Sequence, residues 1–330
     1  MRPAGSVTPS SWWAGRSAPD RYGARVTGPD LPTLLASGEQ AAFHGAPAAA
    51  VSALEQAVAL ARGQGLRAEA AAAGWLLGVA LGAGGRYGAA LTVLAPLVDQ
   101  GSASGAAPER RLFGALSGST IASIHRQLGR HAVAREADLG ALDLTDGAGE
   151  AAFDALLGLA ADAVGLDDGD EAAHRLAQAE QVLPGQGDDW WRQRVRLDWV
   201  RAEIALLDGE PEQAAGLAGA AVTRAEDARA PRHVAKGLLL LGLAQVGGDQ
   251  PQAATTLRRS ATLAESLAAV PLVWPSRALL GALVADDDRP ESDRSLAAAR
   301  SAVLAIAGDL PPGVRAEWLG RPDVAALLAG

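Results

Sequence analysis

Glycine recurs along this chain at almost equal steps: Gly45, Gly85, Gly129, Gly169, Gly209 and Gly248, with Asp288 in the next slot. The intervals are 40, 44, 40, 40, 39 and 40 residues. Each sits in a short polar turn between two segments rich in alanine and leucine. Five residues after the turn comes Ala50, Ala90, Ala134, Ala214 or Ala253, while the fourth repeat has His174 and the seventh Asp293. A fixed period of this size is the mark of a stacked array, in which each unit buries its apolar face only against its neighbours. A 330-residue chain built this way escapes the usual division into compact domains.

The residue types agree with helices. The chain is 49% apolar, yet it has only 8 Trp, 2 Tyr and 3 Phe. A core of Ala, Leu and Val requires closely spaced elements, and alanine, leucine and arginine are strong helix formers. The expected fold is all-α: a right-handed superhelical solenoid of seven helical hairpins closed by a C-terminal capping helix.

Several functions are disfavoured at once. Without cysteine there is no disulfide, thiolate metal site or cysteine nucleophile. The net charge of −9 argues against a surface that neutralises phosphates, so no nucleic-acid partner is expected. Arg supplies nearly all the basic residues, Lys236 is the sole lysine and Asn is absent, a bias we read as that of a GC-rich bacterial genome. The longest uncharged stretch, residues 70–85, is shorter than a bilayer span. The start of the chain does not look like a signal peptide. A cytoplasmic protein without a membrane partner is expected.

Residues 1–32 are rich in Pro, Gly and Ser and are predicted to be a disordered leader, with Trp12-Trp13 its one distinctive feature. Residues 33–308 form the predicted array. In the second unit, helices over 70–81 and 89–98 flank the turn Gly84-Gly85-Arg86-Tyr87, where glycine would end the first helix in the left-handed conformation. Breaker-rich connections between units are expected at residues 63–65, 101–108, 147–149, 184–187 and 271–275, the second accounting for the 44-residue interval. Residues 309–330 are predicted to cap the array.

The hairpins resemble tetratricopeptide repeats. With the turn glycine as the fifteenth position, the small residue at position 8 and the alanine at position 20 are matched by Gly38 and Ala50, by Gly78 and Ala90, and by Ala202 and Ala214. Unit four departs with Asp162 and His174 at these places, and unit seven with Asp293. HEAT and armadillo repeats share the period, but a glycine turn followed by alanine favours the tetratricopeptide frame. The 40-residue spacing is similar to the extended repeats of sensor domains in LuxR-type transcription activators and signalling ATPases. So is the ending Leu310-Pro311-Pro312-Gly313-Val314-Arg315 with Arg321-Pro322-Asp323-Val324.

That resemblance implies a concave groove lined by the first helix of each hairpin. Its frame puts Trp75 and Val79 in the groove from unit two, and Ser119, Ser123 and, one turn on, Arg126 from unit three. Leu159 comes from unit four, Arg196, Trp199 and Glu203 from unit five, and Leu238 from unit six. Trp and Arg are enriched at binding hot spots. The leading expectation is therefore a non-enzymatic module that takes a segment of another protein or peptide in this groove. Trp75 and Trp199 would anchor the segment, and Arg196 and Glu203 would orient it. The alternative is a small-molecule or peptide sensor acting on a separate regulatory output protein. Chaperone-tail clamps of the family use lysine-class and asparagine residues, which this chain lacks.

No catalytic residue, cofactor or metal site is expected. There is no phosphate-binding loop and no nucleophile elbow. His125 and His131 are six residues apart, whereas helical metal ligands stand three or four apart. The acidic run Asp167-Asp168-Gly169-Asp170-Glu171 lacks the ligand ladder of a calcium loop, and acidic residues suit a helix N-terminus. His174 is expected to pack in a helix crossing.

Overall fold

The computed structural model describes residues 29–183 and 190–330. Trp12, Trp13 and the connection at residues 184–187 lie outside the described residues. All regular elements within them are helices, the first fourteen paired in seven hairpins. These are α1 (Leu31–His44) with α2 (Pro47–Gly63), α3 (Arg67–Ala83) with α4 (Tyr87–Ser102), and α5 (Pro108–Gln127) with α6 (His131–Asp143). Next come α7 (Gly149–Gly165) with α8 (Gly169–Val182), α9 (Trp191–Leu207) with α10 (Pro211–Asp227), and α11 (Pro231–Gln245) with α12 (Gln250–Ser266). The seventh pairs α13 (Val270–Leu283) with α14 (Arg289–Asp309), and α15 (Pro312–Gly320) and α16 (Pro322–Ala329) follow. Consecutive helices pack together, and the odd-numbered helices of successive hairpins also touch, forming the inner layer of an α solenoid.

Local chemistry sets the boundaries. The carboxylates of Asp30, Asp168, Asp249 and Asp288 accept backbone N–H bonds from residues three further on, at 2.9–3.1 Å, and so start α1, α8, α12 and α14. The array therefore begins at Leu31, two residues earlier than expected. Asp168 is a helix cap, which accounts for part of the acidic run. The left-handed turn residue is glycine at Gly85, Gly129 and Gly209, but Asp167 in hairpin four, with φ 61°. Pro271 and Pro275 belong to α13 rather than to a connection: Pro271 stands in the first turn, where its missing N–H costs nothing, and Pro275 lies inside the helix and gives up one backbone bond. The 44-residue interval is only partly a longer connection: α5 has 20 residues where α3 has 17.

Counted from the residue that precedes each second helix, all seven hairpins are regular. The fourth residue on is Ala50, Ala90, Ala134, Ala172, Ala214, Ala253 or Ser292, each at most 2% exposed. The apparent breaks at His174 and Asp293 arise because Gly169 already lies in α8 and Asp288 is itself a cap. His174 is exposed, contrary to expectation, since Ala172 fills the crossing. Opposite these small residues the helices meet backbone to side chain. A Cβ on Gly78 would lie 2.3 Å from Leu94 Cδ2, and one on Gly242 would lie 2.7 Å from Leu257 Cδ2.

The array does not stay open. Asp309 at the end of α14 accepts a bond from the Ala89 N–H of α4 at 3.0 Å, and Arg321 donates to the Gln127 carbonyl at 3.2 Å. Arg130 pairs with Glu317 at 2.9 Å. At the other side His44 of α1 meets the Ala228 carbonyl at 3.1 Å and the Trp191 ring at 5.2 Å between centroids. The cap is thus a buckle. Trp318, 1% exposed, and Val324 join a single core with Phe43, Trp75, Tyr87, Leu94 and Ile306, drawn from both ends of the array.

Candidate ligand-binding wall

Closure changes what the inner layer offers. Glu150 and Asp154 stand four apart on α7, and Arg192 and Arg196 stand four apart on α9. Helical spacing puts each pair on one face. Arg192 reaches both Glu150 and, at 3.2 Å, Asp154, while Arg196 pairs with Asp154. Gln193 donates to Glu150 from the buried side. The side chains of this ladder are 7–22% exposed, so the charges are desolvated without being sealed. Burial works to lower the Arg192 pKa, but Asp154 and Glu150 outweigh it and hold the guanidinium above its usual range. Burial pushes Glu150 up, against the pull of Arg192. It also pushes Glu39, from α1, up to about 7, with the Glu150 charge adding to the effect.

A second cluster adjoins it. Arg126 is 3.2 Å from Asp138, is paired with Asp162, and donates to the Gly158 carbonyl at 2.8 Å. Both carboxylates are 0% exposed. Two acids therefore share one guanidinium. Burial pushes the Asp138 carboxyl up to about 7, opposed by the Arg126 charge and reinforced by that of Asp162. With hairpin four registered on Asp168, its small crossing residue is Ala160, 0% exposed, and Asp162 is free to supply a countercharge to Arg126. Gly158 is glycine because a Cβ there would fall 2.0 Å from Asp138 Oδ2.

Along the same wall runs a row of four rings. Trp199 stacks on His233 at 5.4 Å and 18°, Trp191 meets His233 edge-on at 5.0 Å, and His44 follows at 5.2 Å from Trp191. His233 is 2% exposed, and its Nδ1 has no partner. Its pKa lies well below the usual histidine value, first through burial and then through Arg232, Arg192 and Arg196, so the ring is neutral.

The groove residues expected from sequence are divided by this arrangement. Trp75 is 2% exposed, donates to Thr120 Oγ1 at 3.2 Å and lies between the Phe43 and Phe113 rings. It is therefore core rather than an anchor on an open face. Ser119 and Leu159 are buried as well, Leu159 because the turn residue of hairpin four is Asp167 rather than Gly169, which moves the frame by two residues. Leu238 is buried for a similar reason. Gly242 occupies in hairpin six the place Gly78 has in hairpin two, so the frame is shifted by one residue and Lys236 and Leu239 take the inner positions. Glu203 is engaged by that same Lys236 at 2.8 Å, and Arg126 by its two aspartates. Val79, Ser123, Arg196 and Trp199 keep partial exposure.

Sequence reasoning missed Glu150, Asp154, Arg232 and His233. The acid pair could have been found, since Glu150 and Asp154 precede Arg192 and Arg196 by the same 42 residues, about one repeat. The surface concavity of about 690 Å³ around Leu166, Asp167, Asp168, Asp170 and Asp208 shares no residue with this wall. No helix among the described residues is long and apolar enough to cross a membrane. The chain matches no family model and no curated protein.

Proposed function

We propose that this chain is a non-enzymatic, tetratricopeptide-like binding module that receives a small molecule or short peptide on the inner wall formed by α7, α9 and α11, and passes the signal to a separate protein. The observation that carries this reading is the desolvated but accessible ladder of Arg192 and Arg196 on Glu150 and Asp154, beside the ring row. Ligand sites combine apolar and aromatic walls with a few fixed polar groups. Arg and Trp supply most of the affinity where water is excluded. The likeness of the long repeats to activator sensor domains agrees with a ligand-reading role.

The other reading, a partner protein's segment laid in an apolar groove, is supported by the partial exposure of Val79, Ser123 and Trp199 on the inner helices. It leaves out Trp75 and Leu159, which are both 2% exposed.

A thermal-shift panel of metabolites and short peptides on the full chain, followed by hydrogen–deuterium exchange on each stabilising compound, tests the proposal. Saturable stabilisation with slowed exchange in α7, α9 and α11 supports it. Stabilisation only by a folded protein, with slowed exchange confined to α8, α10 and α12, refutes it.

A further inference from the structure

Three of the inner-wall guanidiniums have carboxylates within ion-pair distance: Arg126 has Asp138 and Asp162, Arg192 has Glu150 and Asp154, and Arg196 has Asp154. Arg232, the second residue of α11, has none among the described residues, and its Nε is sealed from solvent without a hydrogen-bond partner. The residue as a whole keeps some accessible surface. Burial, and then the charges of Arg192 and Arg196, bring its pKa down to about 10, which leaves it protonated at neutral pH. A desolvated, uncompensated positive charge destabilises the empty fold.

Two further features surround it. The α11 N-terminus carries no side-chain cap on Ala230, so the positive end of a 15-residue helix is not met by a side-chain acceptor. The adjoining His233, 2% exposed, has an unpartnered Nδ1 and is held between the Trp191 and Trp199 rings.

We infer that Arg232 is the receiving group of an oxyanion site, for a phosphate or carboxylate of a small ligand, at the N-terminal end of α11 beside the His233 and Trp191 rings. The location rests on the inner-wall reading above; the anion chemistry does not. A guanidinium in a fixed fork matches both oxyanions in a two-bond geometry. The unmatched charge is retained because the bound anion neutralises it. Arg232 is thereby a binding residue whose removal helps the empty protein and harms the complex.

The test is titration of the full chain with inorganic phosphate and, separately, acetate, at constant ionic strength set with chloride. Melting temperature and tryptophan emission report binding, on wild type, Arg232→Met and Arg232→Lys. The expected result is saturable stabilisation of wild type by at least one anion, with the preferred anion naming the ligand's group. Arg232→Met weakens that binding by roughly tenfold to a hundredfold, and Arg232→Lys recovers part of it. Arg232→Met also melts no lower than wild type in chloride alone. Equal anion affinity in wild type and Arg232→Met, or no stabilisation of wild type by either anion, overturns the inference. Compounds that slow exchange in α7, α9 and α11 equally in wild type and Arg232→Met would leave the inner-wall reading standing while this one falls.

Discussion

Replacing Gly78 by alanine probes a close helix crossing of the array. The new methyl would lie 2.3 Å from Leu94 Cδ2 and 2.4 Å from Leu94 Cγ. Leu94 is 0% exposed, so it is enclosed by other groups rather than by solvent. Forcing one carbon into such a site costs about 1–3 kcal/mol, while the helix gains about 1 kcal/mol when alanine replaces glycine. Gly216 in α10 is the control: it is exposed, and a Cβ there meets nothing within 4 Å. Gly216→Ala should therefore raise stability by about 1 kcal/mol, the propensity gain alone. The difference between the two alanine variants isolates the clash at about 1–3 kcal/mol. Urea unfolding followed by circular dichroism and tryptophan emission measures both. Adding Leu94→Ala closes a cycle: that change alone costs about 2–5 kcal/mol through the hole it leaves. In the Gly78→Ala background it should cost at least about 1 kcal/mol less, because the methyl fills part of the hole. Stabilisation of Gly78→Ala equal to that of Gly216→Ala would refute the packing argument.

Other consequences follow from the buried charges and the buckle. Asp138, ordinarily near 3.8 and held at about 7 in the fold, stays protonated between these values while the unfolded chain ionises. The unfolded state then binds fewer protons, so this group's contribution to stability falls as pH rises from 4 to 7, by at most about 4 kcal/mol. Asp138→Asn should remove that slope from unfolding curves taken across the range, and an unchanged slope would exclude the assignment. Arg126→Met strands two buried carboxylates and should cost about 3–5 kcal/mol at neutral pH. Adding Asp162→Asn should recover part of the loss in the same urea assay. Trp318→Ala removes the largest side chain of the buckle and should cost about 3–5 kcal/mol. Its effect on amide exchange should reach α4 and α5 as well as α14, and exchange altered only within the last three helices would contradict closure.

The helical hairpins were legible because turn glycines and small crossing residues obey local rules. Gly38, Gly78 and Ala202 were placed correctly by spacing alone. The frame failed where the turn changed chemistry without changing length. Asp167 took the left-handed conformation usually given to glycine, which moved the crossing residue from His174 to Ala172. In hairpin six a one-residue shift exchanged Leu238 for Leu239. The candidate site was less legible still. Whether Trp75 faces solvent depends on Phe43 of α1 and on Phe113 and Thr120 of α5, side chains of the flanking hairpins that the repeat period does not specify. Arg232 and His233 gave no signal of their own, since each gains meaning only beside side chains from another repeat.

Closure is the claim on which the wall, its desolvated charges and the oxyanion site all depend. The chain contains no cysteine, so spin labels can be placed at will. Thr92→Cys on α4 and Ala305→Cys on α14 are both exposed, on hairpins two and seven. Pulsed electron–electron resonance between labels at these two sites should give a single narrow distance near the short end of its range, as the contact of Ala89 with Asp309 at 3.0 Å requires. In an open stack, five repeats at about 10 Å between neighbouring helices would hold the labels roughly 50 Å apart. A distribution centred there would contradict the account.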